Sequence, residues 1–281
     1  MMKLQTPVTL EPAPVSVSYG DRILVLGSCF ADEIGQRLSD AGFRVLANPF
    51  GTLYNPVSIG NAIARLSSGV PFTDEDVVEM GAGAGKMCSF WHHTSFARDT
   101  AEEFLENANK SLEEAAAFWK DCNKVIITLG TAWAFRHNDT GETVANCLKR
   151  PAAEFTRYRL TVAQVSAILN GLVQRNSGKA FIFTVSPIRH LADGAHGNQL
   201  SKSTLLLATE GLPYFPAYEI MMDELRDYRW WAEDMVHPTQ QAAAYLCDRF
   251  IEWALPVREW DLYESKMKEW RRSRHRPLYS E

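Results

Sequence analysis

The run Arg22-Ile-Leu-Val-Leu-Gly27 passes almost directly into Phe30, Ile34, Leu38 and Ala41, apolar residues spaced by 4, 4 and 3. A short aliphatic stretch ended by glycine suits a strand buried on both faces, and the spacing that follows gives a helix one apolar side. Gly42 stands where that helix should stop. A strand that turns at once into a helix returns to its sheet by a crossover, so the chain is directed toward parallel α/β architecture.

The alternation continues. Helices are expected around Asn55 to Leu66, from Ala101 to Trp119 with Leu105, Ala108, Leu112, Ala115 and Trp119 as the buried stripe, and through Val162, Val165, Leu169 and Leu172. Strands are expected at Lys124-Val-Ile-Ile-Thr-Leu129 and Ala180-Phe-Ile-Phe-Thr-Val185, with a polar excursion between Leu129 and Val162. A last helix is expected to begin at Pro238 and to carry Ala242, Leu246, Phe250 and Trp253 on one side. The fold class is α/β, a three-layer α/β/α sandwich with a mainly parallel sheet of flavodoxin-like type. Ligands of such sheets bind beyond the carboxyl ends of the strands, which points to the segments after Leu26, Leu129 and Val185. Gly81-Ala-Gly-Ala-Gly85 lacks phosphate-loop spacing and reads as a flexible loop.

Of the 281 residues, 46% are hydrophobic and 22% charged, enough apolar surface for a substantial core. A net charge of -5 gives no general attraction to phosphate backbones or anionic lipid, so neither nucleic acid nor membrane is an expected partner. The exception is local: Lys266, Lys268, Arg271, Arg272, Arg274 and Arg276 make residues 259–281 a basic tail, read as a solvated helical end. Residues 1–20 form an extension without the apolar core of a signal peptide, no later stretch is long enough to span a bilayer, and a cytoplasmic location is expected. The five cysteines are odd in number and show no CxxC spacing, so neither a disulfide framework nor a zinc site is indicated.

Two constellations carry chemistry. Gly27-Ser28-Cys29 places two nucleophilic side chains where a strand becomes a helix, and backbone N–H groups at a helix start favour a thiolate and a developing oxyanion. A serine there also serves as a simple cap. Asp234-Met-Val-His237-Pro238 places a carboxylate three positions before a histidine, suited to fixing the ring as a general base.

The strings Val25-Leu-Gly-Ser-Cys-Phe-Ala31, Asn48-Pro-Phe-Gly-Thr-Leu-Tyr-Asn-Pro56, Phe90-Trp-His92, Thr128-Leu-Gly-Thr-Ala-Trp133, Ser186-Pro-Ile-Arg-His190 and Asp234 to Pro238 resemble the GSCFA family, a relative of the SGNH/GDSL hydrolases. The resemblance spans roughly Gly20 to Trp253, implying one domain over residues 21–258. It places Cys29 at the nucleophile position, Ser28 where those hydrolases have aspartate, and Asp234 and His237 at the triad acid and base. Gly51 is similar to an oxyanion-hole glycine. Thr131 falls in the third block, where Ala132 replaces the usual asparagine donor. Loss of one such donor typically costs about 10²–10³ in turnover. His92, His93, Asn146, Arg189 and the indole of Trp133 have the hydrogen-bonding character to replace it. Leu148 departs from the family pattern beside Asn146. Asn198 and Lys202 continue it, and residues 214–223 suggest a wall or lid.

The resemblance implies an acyl-transfer enzyme working through a covalent Cys29 intermediate, with His237 as base and Asp234 as its orienter, on a small acylated ester or thioester. No metal or cofactor is required. Two alternatives stay open: an esterase using Ser28, and a non-catalytic module that binds a carbohydrate or acylated ligand. On the first reading Cys29, at a helix start and beside His237, is expected to have a lowered pKa.

Overall fold

The computed structural model describes residues 6–274. Its centre is a four-stranded parallel sheet in the order β2 (Arg44–Ala47), β1 (Arg22–Gly27), β5 (Lys124–Leu129), β9 (Ala180–Val185). Register runs Val25↔Ile126 and Ile126↔Ile182. Successive side chains of a strand point to opposite faces. Leu24, Leu26, Val125, Ile127, Phe181 and Phe183 therefore enter one core, while Ile23, Val25, Ile126 and Ile182 enter the other. The first core is covered by α2 (Pro56–Ser68), α3 (Ala101–Asp121), α4 (Val162–Arg175) and α5 (Gly194–Ala208). The second is covered by α1 (Cys29–Asp40), α7 (Gln240–Ala254) and α8 (Trp260–Arg274). This is the α/β/α sandwich expected, and strands buried on both faces explain why they read as continuous apolar runs.

Local signals set the helix starts. Asn55 caps α2 through Ser58 N with Pro56 in the first turn, and Thr100 with Glu103 and Thr161 with Gln164 form capping boxes on α3 and α4. Pro238 does not begin α7, the helix expected to be last, which α8 follows. Thr239 caps α7, accepting from Ala242 N at 3.2 Å, and Pro238 lies outside in a bridge with Trp231. On α3 the first buried side chain is Phe104, with Leu105 only partly covered.

The polar excursion after β5 folds into an antiparallel sheet of β7 (Thr143–Val144), β6 (Trp133–His137) and β8 (Phe155–Arg159), standing at the carboxyl end of the main sheet. A smaller ribbon joins β3 (Val78–Glu79) to β4 (Met87–Cys88) around the glycine-rich loop. A short α6 (Ala217–Glu219) runs into a π-turn, Ile220–Glu224. Within residues 259–274 the basic side chains Lys266, Lys268, Arg271, Arg272 and Arg274 are exposed on α8, as a solvated helical face, but the helix is docked: Tyr263 and Met267 are buried in the second core. Arg276, counted in the basic tail, and residues 1–5 of the extension lie outside the described residues. The described part of the extension packs Val17 beneath α7, its N–H donating to Ala254 O at 2.9 Å. Among the described residues no helix is long and apolar enough to cross a membrane.

Candidate functional site

The turn from β1 to α1 depends on backbone space. Gly27 has φ +136, and a Cβ there would lie 2.1 Å from Thr128 O. Its N–H donates to Asn48 Oδ1 at 2.9 Å and its carbonyl accepts from Leu53 N at 2.8 Å, so the loop after β2 is tied to the turn. Ser28 is the N-cap of α1, 1% exposed, with Oγ accepting from Phe30 N at 3.3 Å and lying 3.1 Å from Thr128 Oγ1. Its hydroxyl is committed to the fold. Cys29, the first helical residue, is half-buried and faces a cavity.

The Cys29 thiol is not acidified. Burial, then the nearby Asp32 carboxylate, pushes it up to about 11, against the backbone N–H groups of Cys29 and Phe30. The expected lowering fails because the helix-start dipoles are outweighed by desolvation and an acidic neighbour on the same helix. Asp32 is itself held by Asn48 Nδ2 at 2.8 Å.

The second constellation is a tight loop in front of α7. Asp234 Oδ1 accepts from Val236 N at 2.9 Å and His237 N at 3.0 Å, a wrap that puts Met235 at φ +56. Asp234 Oδ2 lies 2.6 Å from His237 Nδ1. The His237 N–H, the His237 ring and the Val236 N–H hold the Asp234 carboxyl down to about 2. An ionised carboxylate on Nδ1 fixes the tautomer and leaves the Nε2 lone pair for proton transfer.

Cys29 and His237 wall the same cavity of about 470 Å³, at the carboxyl ends of the strands. Among the described residues no hydrogen bond joins them. Thr131, Tyr54, Trp133 and His190 also line it, as does Arg157, which is paired with Asp193 and stacked 4.1 Å above the Trp133 ring. Trp133 Nε1 and His190 Nε2 are buried without partners among the described residues. Burial, then the charge of Lys202, lowers the His190 pKa to about 4, so this ring is neutral at ordinary pH. Among the described residues no three His, Cys, Asp or Glu side chains converge as a metal site.

The other candidates lie elsewhere. His92 is 0% exposed, with Nδ1 2.7 Å from Ser89 Oγ and its ring among Phe50, Phe72, Phe96 and Phe104, so it is a core residue. His93 accepts from Ser95 N at 3.2 Å and packs its Cβ where a side chain on Gly51 would stand. Gly51 has φ +74, and its N–H donates to Asn48 O at 2.7 Å, which turns this donor inward. Asn146 Oδ1 accepts from Leu148 N at 2.8 Å and shapes a turn in which Leu148 and Lys149 both have positive φ. Arg189 turns away from the cavity, over the Trp231 ring at 5.4 Å. Ala132 is fully buried, its N–H donating to Ser201 Oγ at 2.8 Å.

Sequence reasoning passed over His190, Tyr54 and Arg157 as cavity residues and Asn48 as the brace of the turn from β1 to α1. His190 and Asn48 stand within strings that carry the family resemblance. For Arg157 no local signal exists, because its place depends on how β8 pairs with β6.

A comparison with protein-family models matches the GSCFA family over residues 22–250. No curated protein matches the chain. The matched span holds β1 through most of α7, including Cys29, the cavity and the Asp234–His237 loop, and the chain belongs to the GSCFA family.

Proposed function

We propose that the chain is an acyl-transfer enzyme acting on a small acylated substrate, an ester or thioester, through Cys29. The observation that supports this reading is the placement of the Cys29 thiol and the Asp234-oriented His237 ring on one cavity. With the thiol near 11, only roughly one part in 10⁴ is thiolate at pH 7, so attack requires a base. His237 Nε2 takes the thiol proton as sulfur bonds to the acyl carbon. The leaving alkoxide or thiolate departs with that proton. The base then deprotonates water or an acceptor, which attacks the acyl carbon and returns sulfur to the thiol. Of the first-turn N–H groups of α1, Phe30 N donates to Ser28 Oγ and Ala31 N to Ser28 O, which leaves the Cys29 N–H, beside the thiol, as the group suited to receive the oxyanion.

The test is intact-mass analysis after exposure to a panel of aryl esters and acyl thioesters. An adduct of acyl mass is expected on the wild type and on a folded Ser28→Ala, and none on Cys29→Ala. An adduct that persists in Cys29→Ala and vanishes in Ser28→Ala would hand the role to the serine. A second reading, a module that binds a carbohydrate or acylated ligand without turnover, is favoured by the inward bonding of the Gly51 and Ala132 N–H groups. Saturable binding with no adduct from any member of the panel would select it.

A further inference from the structure

Arg189 and His190 are consecutive in the irregular chain that leaves β9, and they serve two different cavities. His190 lines the one that holds Cys29. Arg189 lines a second, of about 550 Å³, whose walls include Met221, Tyr228 and Trp231. The two share a partition. Arg189 N donates to Val236 O at 3.1 Å, Ala232 N donates to His237 O at 2.8 Å, and Trp231 forms a bridge with Pro238. Val236 and His237 face the first cavity and Trp231 the second, so the second lies behind the loop that carries His237.

A half-buried guanidinium needs acceptors, because the water it loses is otherwise not replaced. Elsewhere this chain supplies them. Arg22, Arg37, Arg65, Arg150 and Arg249 are half-buried and each holds a carboxylate, while Arg98 holds the carbonyls of Ser95 and Ala97. Arg189 is half-buried too, yet among the described residues its side chain has neither a carboxylate nor a carbonyl. It rests on the Trp231 ring, with Cζ 5.4 Å from the centroid. Stacking uses the flat face of a guanidinium and leaves the N–H fork along its edge free to donate. Arg226, exposed on the same wall, also has no carboxylate among the described residues. Two carboxylates stand there with them. Asp227 is taken by Arg229 at 3.3 Å, which leaves Asp223 against two cations.

We propose that this second cavity is an anion-binding subsite, in which Arg189, with Arg226 beside it, receives a phosphate or carboxylate carried by the leaving group or acceptor of the acyl transfer. The part of the substrate follows from the chemistry. A base that gives its proton to the departing group and takes one from the incoming acceptor faces both, so those groups lie on the His237 side of Cys29. The subsite is on that side. Met221, Trp231 and Tyr228, the last 74% exposed, offer an apolar and aromatic wall to the chain that joins the reacting atom to the anion. The assignment to leaving group or acceptor rests on the acyl-transfer reading, whereas the anion site itself does not.

The site is tested by titration calorimetry of the full chain with inorganic phosphate and with succinate, at about 0.15 M ionic strength, where loose surface attraction is screened. Saturable binding of at least one of them is expected, and the one that binds tells phosphate from carboxylate. Arg189→Gln is expected to weaken it about tenfold or more, the loss of a charged hydrogen-bond donor. Saturation by neither anion, or equal affinity in a folded Arg189→Gln, overturns the site. Should that variant not fold, Arg226→Gln, on an exposed side chain, takes its place: weakening of about threefold or more is expected, and unchanged affinity overturns the site. The leaving-group assignment is read from the rate of acyl-adduct formation on Cys29 with the S-acetyl thioesters of 2-mercaptoethyl phosphate, 3-mercaptopropionate and neutral 2-mercaptoethanol. A preference of about tenfold for an anionic thioester is expected in the wild type, falling toward none in Arg189→Gln. No preference, or one that survives Arg189→Gln, overturns that assignment. No adduct from any of the three sinks the acyl-transfer reading and the leaving-group assignment together, and the calorimetric titration still decides the anion site.

Discussion

His92 and His93 are neighbours in sequence and meet opposite surroundings, because His93 begins a surface turn while His92 is folded into a cage of phenylalanine rings. Burial, helped by the Arg65 charge, lowers the His92 pKa from the ordinary 6.5 to about 3. The folded chain thus keeps the ring neutral where the unfolded chain protonates it. Below pH 6.5 the unfolded state binds the extra proton, so stability falls as pH falls, by about 1.4 kcal/mol per unit, until about pH 3. Urea unfolding at a series of acidic pH values should show that slope, and His92→Phe, which puts a non-titrating ring in the cage, should flatten it whatever its effect on absolute stability. An identical slope in the variant would mean that other groups carry the acid sensitivity. The sequence marked a histidine pair with hydrogen-bonding capacity but not the direction of either ring. That direction is set by packing against residues from α3 and from the loop after β2, distant in sequence and without periodicity of their own.

The loop in front of α7 is the element that frames the proposed base, His237, and its weak point is Met235. A residue with a side chain at φ +56 costs roughly 1–2 kcal/mol, which the two N–H bonds to Asp234 Oδ1 offset. Met235→Gly removes that strain but loses a similar amount through the freer unfolded chain, so its unfolding midpoint should stay close to wild type. Met235→Val, branched at Cβ, should cost about 1–2 kcal/mol more and slow acyl-adduct formation, since the Asp234–His237 pair loses its frame. Equal stability of the two variants would show that the loop bears no strain there. This loop was legible because Asp, His and Pro fall at fixed local spacing, as were β1, α1, β5, α4 and β9 from runs and stripes. The β6–β7–β8 sheet was not: its strands are short and half-exposed, and they pair residues with no local signal in the sequence, such as Trp133 with Arg159 and Phe135 with Arg157. The same blindness hid Ser201, whose hydroxyl answers an amide 69 residues away.

At the scale of the whole molecule, the chain closes on itself through α8. Met267 is 2% exposed against the α1 and α7 side of the sandwich, so Met267→Ala should cost about 2–5 kcal/mol in urea unfolding. An undocked helix would lose no more than about 0.5 kcal/mol, and that size separates the two descriptions of residues 259–274. Lys266, Lys268, Arg271, Arg272 and Arg274 belong to the outer face of a packed helix, a case where charge density masked a narrow apolar stripe. The wall of the cavity also has a history in time. His237 is made more than two hundred residues after Cys29. At synthesis rates of about 5–20 residues per second, a growing chain carries the thiol for on the order of 10–40 s before any imidazole from the last loop exists to meet it. Through that interval the thiol has no general base from that loop, so on the proposed reading a growing chain cannot acylate Cys29 until residue 237 has been made.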